Sequence, residues 1–456
     1  MSAARITIDA SHTAGSGKNT GIERVVRSLC KYLPKIAKAR GLDSAQVATH
    51  IHGHFFPLDD RQRHGLVRMS RWEANAQEFV PKWLQWIPLA VADYWPKTKM
   101  RKWLRPAPSH LGGYKVPHLV YSQFVQAKRF VRGAAISPST NDLLILPDAY
   151  WTVPEIWNTV ARFRRSGGFV VTVVHDLIPI THPQFVGARR SEKFRWYLEQ
   201  VVTHSDLIVA VSRTVRDDIA SFIESEPTLR KDTTCRDIRS FVLGAEIQDA
   251  RGSIRPIIAD LFSATDRNTP YLIVGSFDPR KNHHQAIDAF DQLWGTYPHL
   301  KLCMFGRVGT SCADVIERIQ KHPMLNRGLF VYHDANDAEL QHAYQHCSGL
   351  LFPSIVEGFG LPIVESLWHG TKTFASDTPI HREVGGDACD FFELGSPQSL
   401  ADAILKWEAE RDQTGFRSQH NEKFAPMTWE ASAGQLLDAC LDAYQNRILR
   451  NRSRAA

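Results

Sequence analysis

The chain of 456 residues is 43% hydrophobic and 23% charged, the composition of a soluble globular protein; it excludes a disordered or collagen-like chain. A net charge of +7 favours an anionic partner, which leaves nucleic acid, a phosphorylated small molecule or a lipid surface to be separated by motif. Seven cysteines without a Cys-x-x-Cys pair, no basic-then-apolar leader and no apolar run of roughly 18 residues lead us to expect a reduced, cytoplasmic protein.

The first element, "RITIDAS" (Arg5 to Ser11), reads as a short buried strand, and "GIERVVRSLCKYL" as a helix with Ile22, Val25, Val26, Leu29 and Leu33 on one face. Between them lies "HTAGSGKNT", which has the ingredients of a phosphate-binding P-loop. Spacing rejects that motif. A Walker loop needs glycine five positions before its Gly-Lys pair and Ser or Thr directly after it, whereas His12 and Asn19 stand there. What remains is a flexible glycine loop before a helix start, where backbone N–H groups favour an anion. Gly21 is the expected contact, set against an ordinary strand-to-helix connection.

"HIHGHFF" is expected to place His50, His52 and His54 on one strand face, but no fourth ligand is evident and no metal is expected. An insert over about residues 57–140 breaks the pattern that follows. Five of the twelve tryptophans lie there (Trp72, Trp83, Trp86, Trp95 and Trp103), followed by Lys97, Lys99, Arg101, Lys102 and Arg105. Two readings stay open for residues 72–105: contact with an anionic membrane surface, or a helical subdomain with its own tryptophan core.

Apolar, β-branched runs then recur: "DLLILPD", "GFVVTVVHD", "DLIVAVS" and "SFVLG" in the first half, and "YLIVGSF", "LKLCMFG", "LFVYHD", "GLLFPS" and "TKTFAS" in the second. Continuous apolar strands separated by helical patterns predict parallel sheets covered on both faces. The fold class expected is α/β, with two Rossmann-like doubly wound domains facing a cleft. The first spans 1–250, the second 268–427, and a C-terminal helix over 428–456 is expected to pack back on the first.

"FPSIVEGFGLPIVESLWHG" (Phe352 to Gly370) carries the most chemistry. A strand runs into a loop, and a helix opens near Leu361 with Pro362 at N1 and Gly370 at the C-terminal cap. Gly358 and Gly360 let the backbone approach a ligand closely. The N–H groups of Phe359, Gly360 and Leu361 leave a helix start, where phosphate is favoured. Glu357 and Glu365 flank this nest, and carboxylates accept well from pairs of sugar hydroxyls.

"EGFGLPIVE" resembles the Glu-x7-Glu element of the retaining GT-B glycosyltransferases of family 4 (glycosyltransferase group 1). "YLIVGSFDPRKN", "SDTPIHREVGGDA" and "GSPQSLADAI" are similar to other elements of that family's second domain. "TGIERVVRSL", "VTVVHDLIPI" and "DLIVAVSRTVRDDI" resemble its first-domain elements more weakly, and residues 50–140 match nothing in it. The resemblance implies a metal-independent, cofactor-free hexosyltransferase. Glu357 would hold donor-sugar hydroxyls and Glu365 the ribose diol. Phe359 to Leu361 would meet the diphosphate, Arg280 and Lys281 would clamp it, and His175 would face the sugar. His175, Lys281 and Glu357 are the candidate catalytic residues. One departure stands out: the family often has Gly-Arg where this chain has Gly275-Ser276, which puts more weight on Arg280 and Lys281.

No Asp-x-Asp metal-holding triplet occurs. That absence favours metal-independent transfer. The resemblance puts an acceptor on the first domain and a nucleotide sugar on the second; "TGIERVVRSL", "HDLIPI" and "PRKN" look like bacterial mannosyltransferases of surface-polysaccharide (lipopolysaccharide) assembly, which implies GDP-mannose as donor and a glycan or lipid-linked glycan as acceptor. A peripheral location on the inner face of the plasma membrane and no nucleic acid complete the reading. Its alternatives are a soluble acceptor, a nucleotide-sugar epimerase or hydrolase on the same fold, and a non-catalytic glycan-binding relative.

Overall fold

A computed structural model describes residues 5–16, 21–42, 45–67, 135–227, 229, 237–247, 250, 252–263, 268–309, 311–414 and 426–455. The tryptophan- and lysine-rich stretch 72–105 lies outside them, so both readings of it stand as sequence expectations.

Thirteen strands are described. The first sheet has the order β3-β2-β1-β4-β5-β6-β7: β1 (Ile6–Asp9), β2 (Gln46–Ile51), β3 (His54–Pro57), β4 (Leu143–Leu146), β5 (Phe169–Val174), β6 (Leu207–Ala210) and β7 (Ile238–Ser240). The second has the order β10-β9-β8-β11-β12-β13: β8 (Tyr271–Val274), β9 (Leu302–Phe305), β10 (Leu329–Tyr332), β11 (Gly349–Phe352), β12 (Thr373–Ser376) and β13 (Cys389–Phe392). Nearly all described pairings are parallel; only β2 and β3 run antiparallel. Every residue of β1, β4, β5, β6, β9, β11 and β12 is buried, as strands covered by helices on both faces require.

The apolar runs become strands where expected, with one displacement. "SFVLG" contributes only Ser240 to β7, which begins at Ile238. Beyond Phe241 the chain leaves the ladder for Trp429: Ala245 N–H donates to the Met427 carbonyl at 2.8 Å, and a Cβ on Gly244 would lie 2.5 Å from Trp429. An apolar segment packed on a tryptophan carries the same composition as a buried strand. The strands β2, β3 and β13 extend the sheets beyond the runs read as strands.

Two further expectations change. "HIHGHFF" is a hairpin, not one strand: His52 takes a left-handed φ of 46° at the turn, so His50 lies in β2, which Ile51 closes, and His54 opens β3. His50 is buried against Thr159 (2.9 Å) and burial lowers its pKa to about 4, which fits a packed neutral imidazole. The chain after β1 forms a short helix, Ser11–Ser16, at the start of the glycine-rich stretch, whose residues 17–20 lie outside the described residues.

Contact density divides the chain into two units. The first is Met1–Val173 with Thr203–Leu207 and Asp442–Ala456; the second is Val174–Val202 with Ile208–Leu441. In the first unit, Gly21 opens the helix Gly21–Ala39, whose Val25, Val26, Leu29 and Leu33 are buried while Ile22 is only half-buried. Two buried carboxylates at the ends of β1 and β4 hold the short helix. Asp148 accepts from the Thr13 N–H (2.7 Å) and hydroxyl (3.0 Å), and Asp9 accepts from the Ser11 N–H (3.2 Å), the Ser11 hydroxyl (2.6 Å) and the Tyr150 phenol (3.0 Å). The C-terminal turns of the helix Trp429–Ala455 belong to this unit as well. Arg447 donates to the Gly167 and Gly168 carbonyls, and Tyr444 packs edge-on to Phe169.

Candidate donor-binding site

The second unit collects the sequence-predicted residues at the carboxyl ends of its strands, where doubly wound sheets bind ligands. Beyond β8 the chain turns at Gly275 (φ 153°), where a Cβ would lie 3.2 Å from Cε of Lys281. At the end of β9, a Cβ on Gly306 would lie 1.8 Å from the Gly275 carbonyl, so both strand ends require glycine. A 3₁₀ turn, Pro279–Lys281, follows; its N-cap Asp278 accepts from the Arg280 N–H at 3.3 Å. Asn282 takes a left-handed conformation and starts the helix His283–Trp294. Arg280 and Lys281 are thereby presented by consecutive residues of a rigid turn.

Opposite them lies the loop between β11 and the helix Leu361–Trp368. Gly360 precedes the helix in a left-handed conformation (φ 99°), Pro362 is its second residue, and Gly370 (φ 72°) follows its last turn. Phe359 and Leu361 are buried. Glu357 meets both cations: its Oε2 accepts from Arg280 Nη1 at 2.7 Å, and its Oε1 pairs with Lys281 Nζ. Burial would raise the Glu357 carboxyl, but Arg280 and Lys281 outweigh it and hold the pKa at about 2. Burial pulls Lys281 down, against the attraction of Glu357. The ammonium also lies 4.9 Å from the centroid of the Phe352 ring, a cation–π contact.

Glu365 lies one turn into the helix. It is buried, and Tyr344 donates a hydrogen bond to its Oε2 at 3.0 Å. One carboxylate oxygen is thus committed within the protein.

His175 directly follows β5 and is buried. Its backbone explains Gly358: a Cβ there would lie 1.9 Å from the His175 carbonyl oxygen. The Gly358 carbonyl in turn accepts from the Ser212 hydroxyl at 2.9 Å. Asp176 accepts from the Ile178 N–H at 3.1 Å, so it caps the following turn; burial raises its pKa, with Arg280 pulling the other way. His175, Arg280, Lys281, Glu357, Gly358, Phe359, Gly360, Leu361 and Glu365 therefore share one unit, and Gly21 lies in the other.

The sequence reading missed three neighbours. Ser212 caps the helix Arg213–Ser225, and a serine directly before an apolar-periodic run was the available signal. Glu383 accepts from the Arg213 and Thr214 N–H groups (2.6 and 2.8 Å). His381 donates from Nδ1 to the Ser376 carbonyl (2.9 Å) and is wholly buried beside Phe352. Neither of these two left a trace in spacing or periodicity.

Comparison with known proteins fits this geometry. Residues 259–424 match the family model of glycosyl transferases group 1. Over 302 residues the chain is 29% identical to the serotype-specific mannosyltransferase WbdA of Escherichia coli, covering 66% of this chain and 37% of that protein. It is 27% identical over 239 residues to the O-antigen chain mannosyltransferase RfbU of Salmonella typhimurium, 60% of whose length it covers. The chain thus spans between about a third and two thirds of these relatives. In three dimensions it is similar to Anabaena Alr3699/HepE, solved in complex with UDP and glucose (TM-score 0.53, 15% identity, 97% of this chain and 99% of that one). It is also similar to sucrose-phosphate synthase from Thermosynechococcus elongatus (TM-score 0.54, 13% identity, 99% and 100%). The chain therefore has the GT-B fold, and its residues 259–424 form a glycosyl transferases group 1 domain.

Proposed function

We propose that this protein is a retaining hexosyltransferase that moves mannose from GDP-mannose to a growing, lipid-linked surface glycan. The observation that carries the reading is the half-buried Arg280–Glu357–Lys281 constellation beside the left-handed Gly360 and its helix start. Similarity to mannosyltransferases, among them RfbU, named for the O-antigen chain, supports the donor sugar and the acceptor class.

Breaking the anomeric bond puts negative charge on the departing diphosphate. Preorganised cations and helix-start N–H groups stabilise charge where it develops. Arg280 and Lys281 supply such cations without a metal, and Glu357 and Glu365 supply acceptors for sugar and ribose hydroxyls. With no carboxylate assigned as nucleophile, we read retention as a same-face displacement. The acceptor oxygen bonds to the anomeric carbon on the side the phosphate oxygen leaves, and its proton passes to that phosphate.

A donor panel including GDP-mannose and UDP-glucose, with lipid-linked and free glycan acceptors, tests this, with product configuration read by NMR. GDP-mannose should be used best, the anomeric configuration kept, and EDTA without effect. Lys281→Met should lower kcat/KM by about 100- to 1000-fold, the usual cost of removing one preorganised charge. Inactivity with every donor, together with no nucleoside diphosphate binding, would refute the enzyme reading. Preference for UDP-glucose, an inverted product or inhibition by EDTA would refute the donor, retention and metal-independence respectively.

A further inference from the structure

The two cations of this site are not waiting empty-handed. Glu357 spans them, one carboxylate oxygen on each; Lys281 is buried, and the side chains of Glu357 and Arg280 keep 10% and 23% of their surface exposed. The rest of the surroundings holds them there. Arg280 Nη1 also donates to the Val356 carbonyl (3.3 Å), Asp278 lies 3.9 Å from Arg280 Nε, and Lys281 is backed by the Phe352 ring. Two adjacent buried cations without a counter-ion would be costly, and one shared carboxylate removes most of that cost.

We propose that Glu357 is an internal stand-in for the donor's diphosphate. In the unliganded protein it occupies the hydrogen-bonding faces of Arg280 and Lys281. When a nucleotide sugar enters, the two cations transfer to phosphate oxygens and the carboxylate is released toward the sugar hydroxyls. This rests on the reading of Arg280 and Lys281 as diphosphate ligands. It adds an order to the site: the acceptor for sugar hydroxyls becomes available only once an anion has replaced it. A free hexose would then find Glu357 already occupied, which favours the complete nucleotide sugar over its sugar part alone.

The two roles of Glu357 separate in a binding experiment. A residue that only holds sugar hydroxyls has no influence on a ligand without sugar, whereas a stand-in anion competes with it. Calorimetric titration of GDP, UDP and inorganic pyrophosphate into wild type and Glu357→Gln is therefore the test. The variant should bind its preferred nucleoside diphosphate, and pyrophosphate, about tenfold more tightly. Its ligand-free Tm should fall and be restored by the same ligands, because they return the missing counter-charge. Should Glu357→Gln not fold, Glu357→Asp, which keeps the charge but shortens its reach, should bind tighter than wild type by a smaller factor. Equal or weaker binding by the folded variant would overturn the stand-in role while leaving the enzyme reading intact. Absence of any nucleoside diphosphate binding to either protein would overturn both.

Discussion

Gly358→Ala should lower the transfer rate by about 100-fold at a stability cost of only about 2 kcal/mol. The new Cβ would lie 1.9 Å from the His175 carbonyl oxygen and 3.0 Å from Cβ of Asp176, far inside contact distance. The first of these atoms is backbone, which has little freedom to yield. The His175–Asp176 segment or the Glu357 loop must therefore shift, and displacement of about 1 Å at reacting groups typically costs two orders of magnitude. Gly295→Ala is the control: its Cβ would meet only the Gln292 carbonyl at an ordinary 3.6 Å, on a helix end. Steady-state kinetics with GDP-mannose and thermal melts of both variants decide the point. Unchanged kinetics for Gly358→Ala would show that the close approach to His175 is dispensable.

The second large effect concerns pH. Asp9 is fully buried; burial raises its pKa to about 7 despite the hydrogen bonds from Ser11, with neighbouring Asp148 adding to the rise. Asp148 itself is raised by burial, against the hydrogen bonds from Thr13 and Ala149. Near these carboxylates lie Tyr150, Cys30, Arg27 and His12; the last pairs with Glu23 at 3.6 Å. A carboxyl whose folded pKa exceeds its unfolded value of 3.8 binds its proton more tightly when folded. Folding stability should therefore fall as pH rises from about 4 to about 7 and level off above. The loss is on the order of 4 kcal/mol. Asp9→Asn should flatten this dependence, so that it melts close to wild type at pH 5 and above it at pH 8. A wild-type Tm that holds steady across that range would contradict the assignment. The oppositely placed Glu357, held near 2, should give no titration in the working range; its contribution is lost only as pH falls from about 4.5 through about 2.

Much of this protein was legible in one dimension because its strands are buried on both faces. Runs such as "FVVTVV" and "GLLF" have no polar alternation to obscure them, and period alone separates them from the amphipathic helices between. Gly360 of "EGFGLP" was visible because local backbone geometry demands it, at φ 99°, and the basic pair of "PRKN" because its two residues stand side by side in one 3₁₀ turn that resembles a family motif. These are short-range constraints, and short-range constraints are written in adjacent residues.

What only the tertiary structure decided spans long distances along the chain. Glu357 lies 76 residues from Lys281, and no spacing rule foretold that the predicted sugar ligand would be the counter-ion of the predicted phosphate clamp. Glu365 was read as the acceptor for a ribose diol, and its pairing with Tyr344 depends on how one helix packs on another. The glycine at 358 was read as letting the backbone approach a ligand, whereas what it approaches is a carbonyl 183 residues away in sequence. Sequence sets which side chains a turn or strand end presents. Which charge each one meets in the interior is fixed only when the segments are packed, because burial makes every ionised group find a partner.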